Sequence, residues 1–168
     1  MPVMTAKDAM RDRFATARAG DSLKTAALAI REFRRIQPDA DVCAVFEGGD
    51  YIGLLGHFAI LRELGREALG DSLRLSVGPA DFEETFRGEC AKALERPAGR
   101  AADRDVPKVS PAEPLFLVMD AMLRSGRPFA AGVDAGRLLG LVTAGDARMA
   151  RSEEHTSELQ AHHELVCR

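Results

Sequence analysis

One pattern of apolar positions occurs twice in this chain, and it narrows the possible folds more than any bulk property. In the first half, Leu23, Ala26, Ala27 and Ile30 follow Gly20, Asp21 and Ser22. In the second half, Leu115, Val118, Met119 and Met122 follow Pro111, Ala112, Glu113 and Pro114. Both sets stand at i, i+3, i+4 and i+7, the stripe of a helix with one buried face. Asp21 or Ser22, and Ser110, are suited to cap or turn the chain ahead of these helices. Each helix is followed by an apolar run, a turn and a second run. The first copy reads Val42, Cys43, Ala44, Val45, Phe46, then Glu47, Gly48, Gly49, Asp50, then Tyr51, Ile52, Gly53, Leu54, Leu55. The second reads Phe129, Ala130, Ala131, Gly132, Val133, then Asp134, Ala135, Gly136, Arg137, then Leu138, Leu139, Gly140, Leu141, Val142. Glycine and Asp between apolar runs signal a hairpin.

A helix is expected after the first hairpin, through Phe58, Ile60, Leu61 and Leu64, and another opens near Ala144. Residues 14–16 and 106–109 supply candidate leading strands. The first copy is about five residues longer before its hairpin, and Pro38 with Asp39 marks that stretch, 34–41, as loop. Between the copies, Phe82, Phe86 and Cys90 recur every fourth residue, with Asp81 as N-cap and Glu84 completing a capping box. Pro97 and Gly99 end that helix, and 100–105 reads as a charged, exposed connector. A three-stranded unit of this size cannot bury both sheet faces alone. The expected class is therefore α/β (α+β), two β-α-β-β-α repeats packed as one pseudo-symmetric module.

Bulk properties remove other classes. Hydrophobic residues make up 46% and charged residues 29% of the 168, with a net charge of -3. This balance gives no pull toward nucleic acid or an anionic membrane, and no apolar run reaches spanning length. Lys7, Asp8, Arg11, Asp12 and Arg13 exclude a secretory signal over the first residues. Cys43, Cys90 and Cys167 form no close pair, which fits a reducing, cytoplasmic setting. From about residue 151 the chain turns polar and reads like the in-frame translation of a sequencing adapter. That tail is expected to be artefactual and is set aside from the fold. It holds His155, His162 and His163 beside Cys167, which do not form the two spaced pairs typical of a zinc site. No metal is expected.

The order of these pieces, duplicated at matching positions, resembles the CBS-domain family from Thr5 to about Met149. Ala6, Lys7, Asp8, Ala9 and Met10 are similar to its opening segment. The entries Gly20 to Leu23 and Val109, Ser110, Pro111 are similar to its first-helix entries. The run Gly140, Leu141, Val142, Thr143, Ala144, Gly145, Asp146 is similar to its glycine, apolar pair, Ser/Thr, two residues, Asp motif. The resemblance implies a tandem pair with repeat 1 over 1–66, a helical connector over 67–99 and repeat 2 over 100–150, ahead of the tail at 151–168. It also implies a regulatory, non-enzymatic module. Such a module binds an adenosine-containing ligand (AMP, ADP, ATP or S-adenosylmethionine) between the repeats and signals to an unidentified regulated protein. No obligatory cofactor, nucleic-acid partner or membrane partner follows, and a homodimer does.

On that resemblance Leu141, Thr143, Gly145 and Asp146 are the ribose and phosphate residues. The Asp146 carboxylate can accept both ribose hydroxyls. Thr143 and the backbone N–H groups after it can hold a phosphate at a helix start, and Gly145 allows close approach. Phe14, Ala15, Ala40 and Asp41 are the matching adenine-side residues. The first copy departs from the motif, with Gly56 for the hydroxyl residue and Ala59 for the Asp, so at most one site of this kind is expected. Two alternatives stay open: Thr143 and Asp146 also form a capping box, and a ligand-free dimerisation or interaction unit is the other reading of the module. No nucleophile–base pair, phosphate loop or metal cluster points to an enzyme.

Overall fold

The computed structural model describes residues 3–68 and 78–150. The tail, with its three histidines and Cys167, lies outside the described residues. The chain forms two compact units, one of residues 14–105 and one of residues 1–13 with 106 onward.

In the 14–105 unit, β1 (Ala15–Arg18) leads into α2 (Leu23–Phe33), then β2 (Val42–Glu47), β3 (Asp50–Gly56) and α3 (His57–Ala68). The strands lie in the order β1-β2-β3, parallel then antiparallel. Ser22 caps α2 by accepting from the Thr25 N–H, and Leu23, Ala26 and Ile30 face inward. They meet Ala15, Ala17, Cys43, Val45 and Leu55 in one core. Cys43 is fully buried, and burial pushes its thiol up to about 12, so it serves as a small hydrophobe. The helix α4 (Pro79–Leu94) packs on α3 and stacks Phe82 on Phe86 at 5.8 Å.

The other unit repeats the plan: β4 (Lys108–Val109), α6 (Leu115–Ser125), β5 (Phe129–Asp134), β6 (Arg137–Thr143), and a helix, α7, opening at residue 144 and described to 150. Its strand order is β4-β5-β6, again parallel then antiparallel. Leu115, Val118 and Met122 form the buried stripe, with Ala130, Val142 and Ala147. Both hairpins bulge at matching points, between Val45 and Phe46 and between Gly132 and Val133.

Each hairpin turns on two residues of positive φ: Gly48 (58°) with Gly49 (92°), and Ala135 (47°) with Gly136 (77°). That is the turn whose twist suits a two-residue hairpin. Ala135 is the non-glycine residue among them, and an L side chain there costs about 1–2 kcal/mol. Ala135→Gly is expected to stabilise the protein by about 0.5–1 kcal/mol after the added chain entropy is subtracted. A thermal melt checks this, and an unchanged or lower midpoint counts against the strained turn.

The segments ahead of each leading strand depart from expectation. Residues 100–105 are not simply an exposed connector. A short helix α5 (Ala98–Ala101) buries Ala98 and Ala101, and Ala102 is buried behind it. Leu54 N–H donates to the Asp103 carbonyl (3.1 Å), and Asp103 N–H to the Leu54 carbonyl (2.7 Å). The opening segment does the same in its own unit. Helix α1 (Ala6–Ala9) buries Ala6 and Ala9. Arg11 N–H donates to the Leu141 carbonyl (2.8 Å) and Leu141 N–H to that of Arg11 (2.9 Å). Small alanines permit both close packings. The glycine before each bridged leucine makes room: a Cβ at Gly53 would stand 2.5 Å from the Asp103 oxygen, and one at Gly140 would stand 2.5 Å from that of Arg11.

Smaller corrections concern caps. Helix α4 starts at Pro79 with Gly78 as N-cap, so Asp81 lies in its first turn instead of capping it. The fixed φ of proline favours that earlier start. Ser110 accepts from Ala112 N–H as a turn former, and Pro114 holds the N-cap position of α6. Cys90 is half-buried.

Candidate functional site

The β6–α7 junction concentrates polar groups in the unit of residues 1–13 and 106 onward. Strand β6 ends at Thr143, and the Asp146 N–H donates to Thr143 Oγ1 at 3.1 Å. In return, Asp146 Oδ2 accepts from the Thr143 hydroxyl at 2.7 Å and from its backbone N–H at 3.2 Å. This is a complete capping box. The other oxygen, Oδ1, accepts from Arg11 Nε at 2.7 Å and also from Arg11 Nη2. The Asp146 side chain is 14% exposed and that of Arg11 22%.

Arg11 escaped sequence reasoning. It stands 135 residues from Asp146, and its neighbours Asp12 and Arg13 give it the look of an ordinary charged terminus. The available signal was Gly140, whose missing side chain marks a close backbone approach. Met10 lies over the paired glycines Gly132 and Gly140, where a Cβ on either would collide with its side chain.

The structure brings Thr143 and Asp146 together and places Gly145 exposed in the first turn of α7. A Cβ on Gly145 would meet only Thr143 Oγ1, at an ordinary 3.6 Å. Leu141 is buried, with both backbone groups spent on Arg11. Phe14, Ala15, Ala40 and Asp41 belong to the 14–105 unit. Phe14 is half-buried, and Ala15 is buried and paired with Cys43. Ala40 is half-buried and donates its N–H to the Gln37 carbonyl. Asp41 is exposed, 3.5 Å from Arg34.

The first copy is built differently at the corresponding place. His57 opens α3 and is exposed, and Ala59 packs against its unit's core. The residue bridged to the β3 leucine is Asp103 where the other unit has Arg11. Ala59 and Asp103 therefore cannot reproduce the pair that Asp146 and Arg11 make.

A further feature escaped the sequence reading. An apolar recess between α6 and α7 is lined by Met119, Met122, Leu123, Pro128 and Ala147, while Met122 is buried in the core and Met119 packs against it, as their places on the helical stripe predict. Among the described residues, no group of three His, Cys, Asp or Glu is arranged to hold a metal. No described helix is long and apolar enough to cross a membrane.

No protein-family model matches the chain, and no curated protein matches it. Solved structures do. A CBS-domain-containing protein of Agrobacterium tumefaciens is 16% identical with a TM-score of 0.61, over 83% of this chain and 85% of that one. The CBS domain of a membrane protein of Sphaerobacter thermophilus is 18% identical with a TM-score of 0.63, over 88% of each chain. A CBS-domain protein of Pyrobaculum aerophilum, complexed with AMP, is 14% identical with a TM-score of 0.61, over 85% of this chain and 89% of that one. Two β-α-β-β-α repeats and this likeness together show that the chain has the fold of a tandem CBS-domain pair.

Proposed function

We propose that the chain is a regulatory module that takes an adenosine-containing ligand at Thr143 and Asp146 and reports its occupancy to a partner protein. The observation that carries this reading is the convergence at the start of α7. A hydroxyl and a carboxylate meet there, beside the exposed residues Ala144 and Gly145, the first of which donates its N–H to the Pro128 carbonyl at 2.9 Å. Asp146 suits vicinal ribose hydroxyls, and the backbone N–H groups of a helix's first turn suit an anion. The AMP bound to the Pyrobaculum aerophilum protein of the same fold supports the ligand class. The reading assigns no catalytic residue and no obligatory cofactor.

A second reading, a ligand-free interaction module, has its own observation. Both Asp146 oxygens are already engaged by protein donors, while Phe58, Leu61 and Leu123 leave 76%, 61% and 79% of their surfaces exposed. A second copy of the chain is the partner this reading favours.

Melting the protein with AMP, ADP, ATP or S-adenosylmethionine separates the two. A ligand that binds only the folded state, at about a hundred times its dissociation constant, adds about 2.7 kcal/mol. At least one ligand is expected to raise the midpoint by several degrees, and Asp146→Asn to abolish that rise. No rise with any of the four, in a cooperative melt, overturns the ligand reading in favour of the interaction module.

A further inference from the structure

Methionine is distributed unevenly between the two units. All six methionines of the sequence stand before residue 14 or after residue 105, and the 14–105 unit has none. That unit closes its core with Leu, Ile, Val, Ala and Cys, whereas Met4, Met10 and Met119 pack at the rim of the other core and Met122 is buried in it. Met10 has the tightest seat. It is half-buried, and its side chain lies over the paired glycines Gly132 and Gly140. A Cβ on either glycine would stand 2.7 Å from Met10 Sδ, so the sulfur rests where a side chain would otherwise be. Neither glycine has a side chain that could donate a hydrogen bond to it. The next residue, Arg11, is bonded both ways to Leu141 and engages Asp146. Met10 thus pins the crossing segment to the sheet, and the pin is an oxidisable thioether. The 14–105 unit fills the same place with inert groups: Ala102 precedes its bridged residue, and Val45 faces Gly53 where the other unit pairs two glycines.

We infer that Met10 is an oxidation site whose sulfoxide cannot keep its seat over Gly132 and Gly140, so that oxidation loosens the crossing segment. The oxidant is a peroxide. The Met10 sulfur gives an electron pair to one peroxide oxygen, and the S–O bond forms as the O–O bond breaks. The proton on the transferred oxygen passes to the departing hydroxide, which leaves as water. Sulfide is oxidised to sulfoxide and the peroxide is reduced. The product is polar and chiral where the thioether was apolar and pliant. An oxygen pressed onto the glycine pair without a donor is unfavourable, and turning it outward lifts the side chain from the sheet. Either way the residue that carries Arg11 loses its anchor. None of this depends on which ligand the module takes.

Treating the whole chain with hydrogen peroxide, and locating sulfoxides by peptide mass spectrometry, tests it. Met149, 52% exposed, marks general oxidation. Met10 should be converted as well, and the wild-type melting midpoint should fall by at least about 4 °C. After the same treatment Met10→Leu should stay within about 2 °C of its own untreated midpoint, while Met149→Leu should fall as the wild type does. Met10→Gln, which carries a lasting polar group on a chain of similar length, should melt as low as the oxidised wild type without any peroxide. A methionine sulfoxide reductase should restore the oxidised wild type. Met10 left reduced while Met149 is oxidised overturns the assignment. So does an equal fall in Met10→Leu, or an unchanged melt of wild type that carries the Met10 sulfoxide.

Discussion

Gly140→Ala is expected to destabilise the protein by about 1–3 kcal/mol. The new methyl group would stand 2.5 Å from the Arg11 carbonyl oxygen and 2.7 Å from Met10 Sδ. The thioether can shift, but the carbonyl is backbone. Overpacking of this kind costs about 1–3 kcal/mol. Relieving it by pushing the segment away breaks the two hydrogen bonds between Arg11 and Leu141, each worth about 1 kcal/mol. Gly53→Ala should behave alike, since its methyl group would meet the Asp103 carbonyl at 2.5 Å. Gly145→Ala is the contrast: its methyl group would make only an ordinary 3.6 Å contact with Thr143 Oγ1 in a helical turn, so it should be neutral or stabilising by up to about 1 kcal/mol. Urea midpoints for the three variants decide the matter. A loss under about 1 kcal/mol at Gly140 would mean that the crossing segment steps aside freely.

The second large effect is expected at Ile30, whose side chain is wholly buried among the β1–β3 strands. Ile30→Ala removes three carbons from a closed core and should cost about 2–5 kcal/mol. Leu28→Ala, on the same helix but 40% exposed, should cost well under half as much. Equal losses at both positions would contradict the inward face assigned to α2. Because each unit has its own core, the same comparison at Val118 and Leu123 on α6 probes the other repeat.

The α2 and α6 stripes were legible in the sequence because burial itself enforces their period. Leu23, Ala26 and Ile30, and Leu115, Val118 and Met122, are the residues found inside. The hairpins were legible because their turns need positive φ and glycine supplies it at three of four positions. The crossing segments were not. A single bridge, such as Arg11 to Leu141 or Asp103 to Leu54, has no period, and alanines flanked by charges look like linker. The repeated Gly-Leu step at Gly53 and Gly140 was visible, but its cause lies in a distant segment. Asp81 and Glu84 imitate a helix start so well that Pro79, the residue that sets it, was overlooked. At the candidate site, Thr143 and Asp146 were legible as neighbours on one turn. Arg11 was not, because chain separation hides a tertiary ion pair.

The two units are joined out of step with the chain. Residues 14–105 form one continuous stretch, whereas the other unit needs residues 5–11 from one end and 106–150 from the other. On a ribosome, which adds about 5–20 residues each second, the first unit has all its parts once residue 105 is free of the exit tunnel. The second must wait, and its earliest-made residues are among the last to find their place. Met10 and Arg11 then wait for Gly140 and Asp146, the last of which stands 135 residues beyond Arg11. The entropic cost of closing so long a loop grows only slowly with length. The burden falls on timing: for several seconds of synthesis, the residue that holds Asp146 is made but has nothing to hold.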